Sequence, residues 1–214
     1  VELPDGSVTH TDYDFSNEPG GARRFHTLVT DAEGNKRESF RDVRELITTV
    51  REHNESEYND GPTVLDTRYV YDPLKQITDV YDAEEHHTSV GYDLLGRRTA
   101  INNPDTGLVE YAYDITGNLR YKLTPNLRKA GATLVKGAIE YRYDHERLVN
   151  ILYPNAPAND SQSGTPPDPI NVSYIYGENT EENARVGRVG RIIRVDHQAG
   201  YEERWYGKLG EVVQ

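Results

Sequence analysis

Phenols and carboxylates recur together along this chain. Tyrosine precedes aspartate at Tyr71-Asp72, Tyr92-Asp93, Tyr113-Asp114 and Tyr143-Asp144. An acid beside a phenol, repeated in step, has the makings of a proton-transfer motif. Other groups invite chemistry as well. Asp105-Thr106-Gly107 matches the catalytic triplet of aspartic proteases, and Glu84-Glu85, Glu181-Glu182 and Glu202-Glu203 pair carboxylates as a glycosidase would. His86-His87 is the only paired histidine, Asp31-Ala32-Glu33-Gly34-Asn35 resembles part of a calcium loop, and Arg185, Arg188, Arg191 and Arg194 form a basic run.

Each of these reads better without chemistry. Asp105 stands at a turn, in register with Asp5 at an offset of 100 residues. Neighbouring acids on a strand point to opposite faces, so the glutamate pairs read as solvated charge. A metal needs three or four converging ligands, and no further histidine stands at helical or hairpin spacing from His86-His87. The Asp31 segment lacks the twelve-residue ligand set of a calcium loop and reads as a plain turn. A spacing of three alternates faces on a strand, so the arginines make no single basic stripe and read as snorkelling side chains. No Gly-x-Ser-x-Gly, phosphate loop or dinucleotide fingerprint is present. The expectation is a protein that is not an enzyme, with no catalytic, cofactor or metal residues.

Composition limits the classes further. Of 214 residues, 35% are apolar and 28% charged, with a mean hydropathy of -0.81. Sixteen tyrosines argue against disorder, because disordered chains are poor in aromatics. They fit a thin structure with much surface, in which the ring packs and the hydroxyl reaches a polar partner. A net charge of -12 disfavours nucleic acid and anionic membranes. No apolar run is long enough for a membrane helix, so no membrane insertion by this segment is expected. Zero cysteines rule out disulfides and thiolate metal sites. With no methionine at position 1, the chain is expected to be a processed product or an excised piece.

The tyrosines and aspartates are positioned by a repeat. Asp72, Asp93 and Asp114 are spaced by 21 residues, with a half-period of 11. Tyr69/Tyr71, Tyr111/Tyr113, Tyr141/Tyr143 and Tyr174/Tyr176 alternate, which puts both rings on one face of a strand. Aspartate then begins a turn by accepting from backbone amides two residues on. Glycine three residues later, as at Gly96 and Gly117, takes the positive φ, and a basic residue or asparagine restarts the next strand. One unit is thus a long hairpin, marginal alone and stable only against its neighbours. The predicted fold is all-β: stacked antiparallel hairpins in a curved, spiralling repeat sheet. An array cut at both ends exposes strand edges, so the natural protein is expected to be longer.

Region 1–155 holds most of the repeat. Pro4-Asp5-Gly6-Ser7 is a turn, 16–24 is a polar loop, and Phe40-Arg41-Asp42 stands where tyrosine-aspartate would, with strand rather than helix over 41–53. Residues 54–62 form a polar insertion, and the 30-residue step from Asp114 to Asp144 implies a nine-residue insertion around 128–136. Region 156–169, rich in Pro, Ser, Asp and Gly, is a long loop or linker, and 170–214 resumes the sheet. Two of its repeat members, Gly177 and Gly207, carry glycine in place of aspartate.

Tyr111-Ala112-Tyr113-Asp114-Ile115-Thr116-Gly117-Asn118-Leu119, Tyr92-Asp93-Leu94-Leu95-Gly96-Arg97 and Tyr69-Val70-Tyr71-Asp72 resemble the YD repeats of the Rhs family, as do 40–44 and 204–213. That family includes the B and C shell components of bacterial Tc insecticidal toxins and, distantly, teneurins. The resemblance implies a fragment of a hollow β-shell that encloses a C-terminal toxin or effector polypeptide before delivery. Its partners would be the remainder of the same Rhs shell and that cargo, and its setting secreted or secretion-system-delivered, extracellular or at a cell surface. No Asp-Pro-x-Gly core signature or variable toxin domain is present, so the chain would be wall only. The alternative is an extracellular adhesion or carbohydrate-binding module, with exposed tyrosines stacking on a cell-surface glycan.

Overall fold

The computed structural model describes residues 6, 8–53, 64–154, 171–197 and 199–213. Most of the Pro4–Ser7 turn, the 54–62 insertion and the 156–169 segment lie outside them. The chain divides into two compact units, 1–107 and 108–214. The first holds β1 (His10–Asn17), β2 (Arg23–Thr30), β3 (Lys36–Arg41), β4 (Ile47–His53), β5 (Val64–Tyr71), β6 (Ile77–Tyr81), β7 (His87–Tyr92) and β8 (Arg98–Asn103). The second holds β9 (Gly107–Tyr113), β10 (Leu119–Leu123), α1 (Pro125–Lys129), β11 (Ile139–Asp144), β12 (Arg147–Leu152), β13 (Val172–Tyr176), α2 (Glu181–Arg185), β14 (Ile192–His197) and β15 (Gly200–Glu203). Within each unit every strand pairs antiparallel with its sequence neighbours, so each is a row of hairpins laid side by side. Of the strand expected over 41–53, 47–53 is strand and not helix, but 42–46 is an aspartate turn.

The aspartate turn is the recurrent local structure. At Asp31, Asp42, Asp72, Asp82, Asp93 and Asp114 the aspartate N–H donates to the carbonyl four residues on at 2.9–3.2 Å, and the N–H three residues on returns to the aspartate carbonyl at 2.9–3.1 Å. In five of them one carboxylate oxygen also accepts from the amides two and four residues on, at 2.8–3.1 Å. Asp72 accepts from Gln76 N–H at 2.9 Å. The residue that restarts the strand has a purpose in this geometry: Asn35, His86, Arg97 and Asn118 donate to the second carboxylate oxygen. Gly34, Gly96 and Gly117 supply the positive φ, while Glu45, Lys75 and Glu85 accept 64–67° at the same position, a strain the surrounding bonds hold in place.

Turns on the two edges of a unit differ. Beside those at 42–46, 72–76 and 93–97 the ladder register shifts, between Phe40 and Arg41, Val70 and Tyr71, and Gly91 and Tyr92. No shift accompanies the opposite-edge turns at 31–35 and 82–86. The second unit repeats the shift at Arg142/Tyr143 and Ile175/Tyr176. Such bulges bend and twist a strand locally.

Among the described residues the buried apolar ones are few: Phe40, Val50, Leu123, Ala138 and Val195. That suits a thin, single-layer sheet in which tyrosine carries much of the packing. Two expectations need correction. The arginine run is not on one strand: Arg185 ends α2, Arg188 follows it, and only Arg194 lies on β14. Glu181-Glu182 form the first turn of α2, where Thr180 caps it, rather than part of a strand. The nine-residue insertion around 128–136 is real; it holds the end of α1 and a tight turn closed by Thr133 and Lys136.

Both glycine substitutions for aspartate have a steric cause. At Gly177 the turn keeps its bonds, Gly177 N–H to Arg191 O at 2.9 Å and Gly190 N–H to Gly177 O at 2.8 Å, although ten extra residues loop out between them. That insertion brings the Arg188 carbonyl within 2.2 Å of where a Cβ on Gly177 would stand. At Gly207 the carboxylate comes from the other end of the turn. Glu211 Oε1 lies 2.0 Å from the absent Cβ, and its Oε2 accepts from Leu209 N–H at 3.0 Å. Glu211→Asn should therefore lower stability by roughly 1 kcal/mol in chemical denaturation, and adding Gly207→Asp should restore it.

Candidate functional site

The residues singled out by the repeat form a bracing system between hairpins. Tyr69, Tyr71 and Tyr92 in the first unit, and Tyr111, Tyr113, Tyr141 and Tyr143 in the second, are half-buried on their strands. Val70, Arg142 and Ile175, between paired tyrosines, are exposed, as the alternation requires. The tyrosine next to the turn crosses to the preceding hairpin. Tyr71 Oη donates to Ile47 O at 2.8 Å and Tyr92 Oη to Ile77 O at 2.9 Å. In the second unit Tyr176 Oη donates to Leu148 O at 2.9 Å and Tyr206 Oη to Ile192 O at 2.6 Å. Each of these carbonyls belongs to the first or second residue of its strand, beyond the last ladder pair that the strand makes with the next one, where a side-chain donor takes over. Turns also reach one another: Arg44 donates to Asp72 O at 3.2 Å and Gln76 to Gly96 O at 2.9 Å.

The electrostatics suit this role. Burial pushes the Tyr71, Tyr141, Tyr143 and Tyr176 phenols up, which keeps them neutral, and keeps Tyr71 and Tyr176 able to donate. The turn carboxylates are held low by what they accept: Asp31 by the Asn35 side chain, Asp114 by the Thr116 hydroxyl and Asp82 by the His86 amide. Asp93 is desolvated, which pulls the other way, but the Arg97 amide and guanidinium outweigh it. Gly96 and Gly117 hold φ of 79° and 97°. Asp144 departs from its expected equivalence. It sits at a two-residue hairpin, with His145 at φ 57°, and binds His145 and Arg147 side chains at 2.9 and 2.8 Å in place of turn amides.

The groups with apparent chemistry are dispersed. Asp105 is exposed at a turn closed by Asn103, whose side-chain oxygen accepts from the Asp105 and Thr106 amides at 3.0 Å. His86 bonds Asp82, while His87 bonds Asp79 and stacks on Tyr81 at 4.6 Å. Among the described residues no group of three His, Asp or Glu could hold a metal. A cleft of about 380 Å³ lies under the loop after β1, bordered by Glu18, Arg24, Arg44, Thr49, Arg68 and Tyr71. Its arginines already hold carboxylates: Arg24 binds Glu18, Arg44 binds Asp42 and Arg68 binds Glu85.

One network escaped the repeat. Asp14, His26, Glu38 and His53 form a chain across β1 to β4, with contacts of 2.7, 2.8 and 2.6 Å, and Arg51 forks onto Asp66 at 2.7 and 2.9 Å. The strand alternation alone could have put these groups on one face; only the register brings them together.

No protein-family profile matches the chain, and no curated protein matches it. Solved structures do. The crystal structure of TcdB2-TccC3 aligns over 98% of this chain with a TM-score of 0.61 at 16% identity. TcdB2-TccC3 without its hypervariable C-terminal region aligns over 97% with a TM-score of 0.60 at 17% identity. The Photorhabdus luminescens Tc holotoxin pore aligns over 94% with a TM-score of 0.59 at 17% identity. This chain spans 11% of the length of each. The fold implied by the resemblance to Rhs-type YD repeats is therefore the fold found.

Tyr92→Phe removes one inter-hairpin bond and should lower stability by about 1 kcal/mol; Tyr13→Phe, on a ring 76% exposed, should not. Acid provides a second test. The Asp31, Asp42, Asp82, Asp93 and Asp114 carboxyls have folded pKa values below their unfolded value of about 3.9, so their contribution is complete above that value and is lost as pH falls through the folded one. The denaturation midpoint should hold from neutral pH to about 5 and fall below about 4. Asp93→Asn, which keeps an acceptor but no charge, should make that decline shallower.

Proposed function

We propose that this chain is a wall segment of a shell that encloses a toxin or effector polypeptide and keeps it from folding or acting before delivery outside the producing cell. The observation that carries this reading is the row of hairpins braced rim to rim, in a fold shared with the TcdB2-TccC3 chains. The physics of the site supports it. Neither Asp turns nor tyrosine bridges leave a reactive group free; both fix the spacing and order of strands. A wall needs that property, because a breach requires breaking a strand ladder together with the bridges beside it. Its partners in this role are the rest of the same shell and the polypeptide within.

Imaging of the full-length product of the gene that encodes this chain tests the proposal. The expected result is a closed hollow body containing a polypeptide that resists added protease until the body is opened. A particle with no enclosed chain, or one whose every segment is cut at the same rate, would overturn it.

A further inference from the structure

The insertion that loops out of Gly177 holds positive charge without a counter-charge. Between 184 and 195 the chain has four arginines and no acid. Elsewhere in the second unit each arginine holds a carboxylate: Arg120 and Arg142 share Glu140, Arg128 binds Glu110, Arg147 binds Asp144 and Arg204 binds Glu202. Arg194 binds Asp196. Among the described residues Arg185, Arg188 and Arg191 have no carboxylate within ion-pair distance. Two of the three are nevertheless fixed. The Arg188 guanidinium carbon lies 4.3 Å from the centre of the Trp205 ring, and that of Arg191 lies 4.9 Å from the centre of the Tyr206 ring. Arg188 Nε is shielded from solvent and meets no acceptor. A cation stripped of water on one side and left without a counter-charge is costly, and a ring beneath it recovers only part of that cost. The sheet needs none of this, because the turn closes through the backbones of Gly177, Gly190 and Arg191.

We propose that the 185–191 segment, together with Trp205, is a docking site for a carboxylate-bearing segment of another polypeptide. Charge complementarity names the occupant. Stacking on Trp205 uses the face of the Arg188 guanidinium and leaves its edge of N–H donors, whose fork matches a carboxylate. The counter-charge that every other arginine of the unit finds within the chain must here come from outside. Val186, Val189 and Trp205, exposed to 38, 38 and 40%, supply apolar surface on the same insertion and the adjoining hairpin. Arginine and tryptophan are the residue types that concentrate binding energy at protein interfaces. The complement is an extended chain with acids spaced among small or apolar residues. Nucleic acid is a poor fit. Glu178, Glu181, Glu182 and Glu203 stand exposed on the flanking segments, and the whole chain carries -12. A continuous row of phosphates meets repulsion there, whereas spaced carboxylates reach the arginines between those acids. This inference does not rest on the enclosure reading.

Trp205 is the only tryptophan, so its selectively excited emission reports this site. The 214-residue chain is titrated with a glutamate–alanine copolymer at about 150 mM salt, where repulsion between distant charges is screened. The emission should shift along a saturable curve. Arg188→Gln should raise the dissociation constant at least about tenfold. Arg185→Gln, at an exposed position that leaves the Trp205 stack in place, should raise it by a smaller factor with the far-ultraviolet circular dichroism unchanged. Arg142→Gln, which removes a guanidinium already bound to Glu140, should leave binding as it was. Emission that the copolymer does not move, Arg185 and Arg188 variants that bind as tightly as the unaltered chain, or an oligodeoxythymidine of equal charge that binds as well as the copolymer would overturn the proposal.

Discussion

Between neighbouring hairpins a phenol reaches over to a backbone carbonyl, and much else is arranged around that bond. Strand ladders fix which residues lie opposite one another, but past the last pair of a ladder a carbonyl is left without a backbone partner. Tyr71, Tyr92, Tyr176 and Tyr206 answer that need at Ile47, Ile77, Leu148 and Ile192. Tyrosine fits because the ring packs against the neighbouring strand while the hydroxyl spans the gap. One hairpin earlier Arg41 stands in the place of Tyr71 and Phe40 in that of Val70, so no phenol is available there; Phe40 is instead among the most buried side chains described. A sheet with so small an apolar core is thus held by hydrogen bonds at its rim as well as by burial.

The turn beside each phenol tolerates changes of residue but not of function. A carboxylate must collect the amides, and a residue with positive φ must close the loop. Aspartate and glycine do this most economically, yet Glu45, Lys75 and Glu85 accept the strained backbone, and Glu211 supplies the carboxylate from the far side of the turn. The repeat is therefore better described by its set of bonds than by its letters.

That difference explains what the sequence disclosed. The alternating tyrosines, the aspartate corners and the 21-residue step were all legible, because each follows from local geometry with a fixed period. The second amide held by each aspartate and the return of Asn35, Arg97 and Asn118 to its carboxylate were not, since they depend on closing the turn in three dimensions. The Asp14-His26-Glu38-His53 chain needed the strand register, which single residues do not reveal. The helix α2 had its signals, Thr180 before Glu181-Glu182 and Arg185 at the end, but five residues are too short for a periodicity, and the three-residue spacing of arginines masked them. Asp144 reads like its fellows in sequence and differs because its hairpin is one residue shorter at the bend.

The loop out of Gly177 has a consequence for how such a sheet changes over time. Its turn closes with the same pair of bonds whether three residues or thirteen separate the closing partners, and the strands on either side keep their pairing. Chain length at the rim is thereby uncoupled from order in the wall. New segments can be acquired at these corners, tried and discarded, while the load-carrying ladder remains unaware of them.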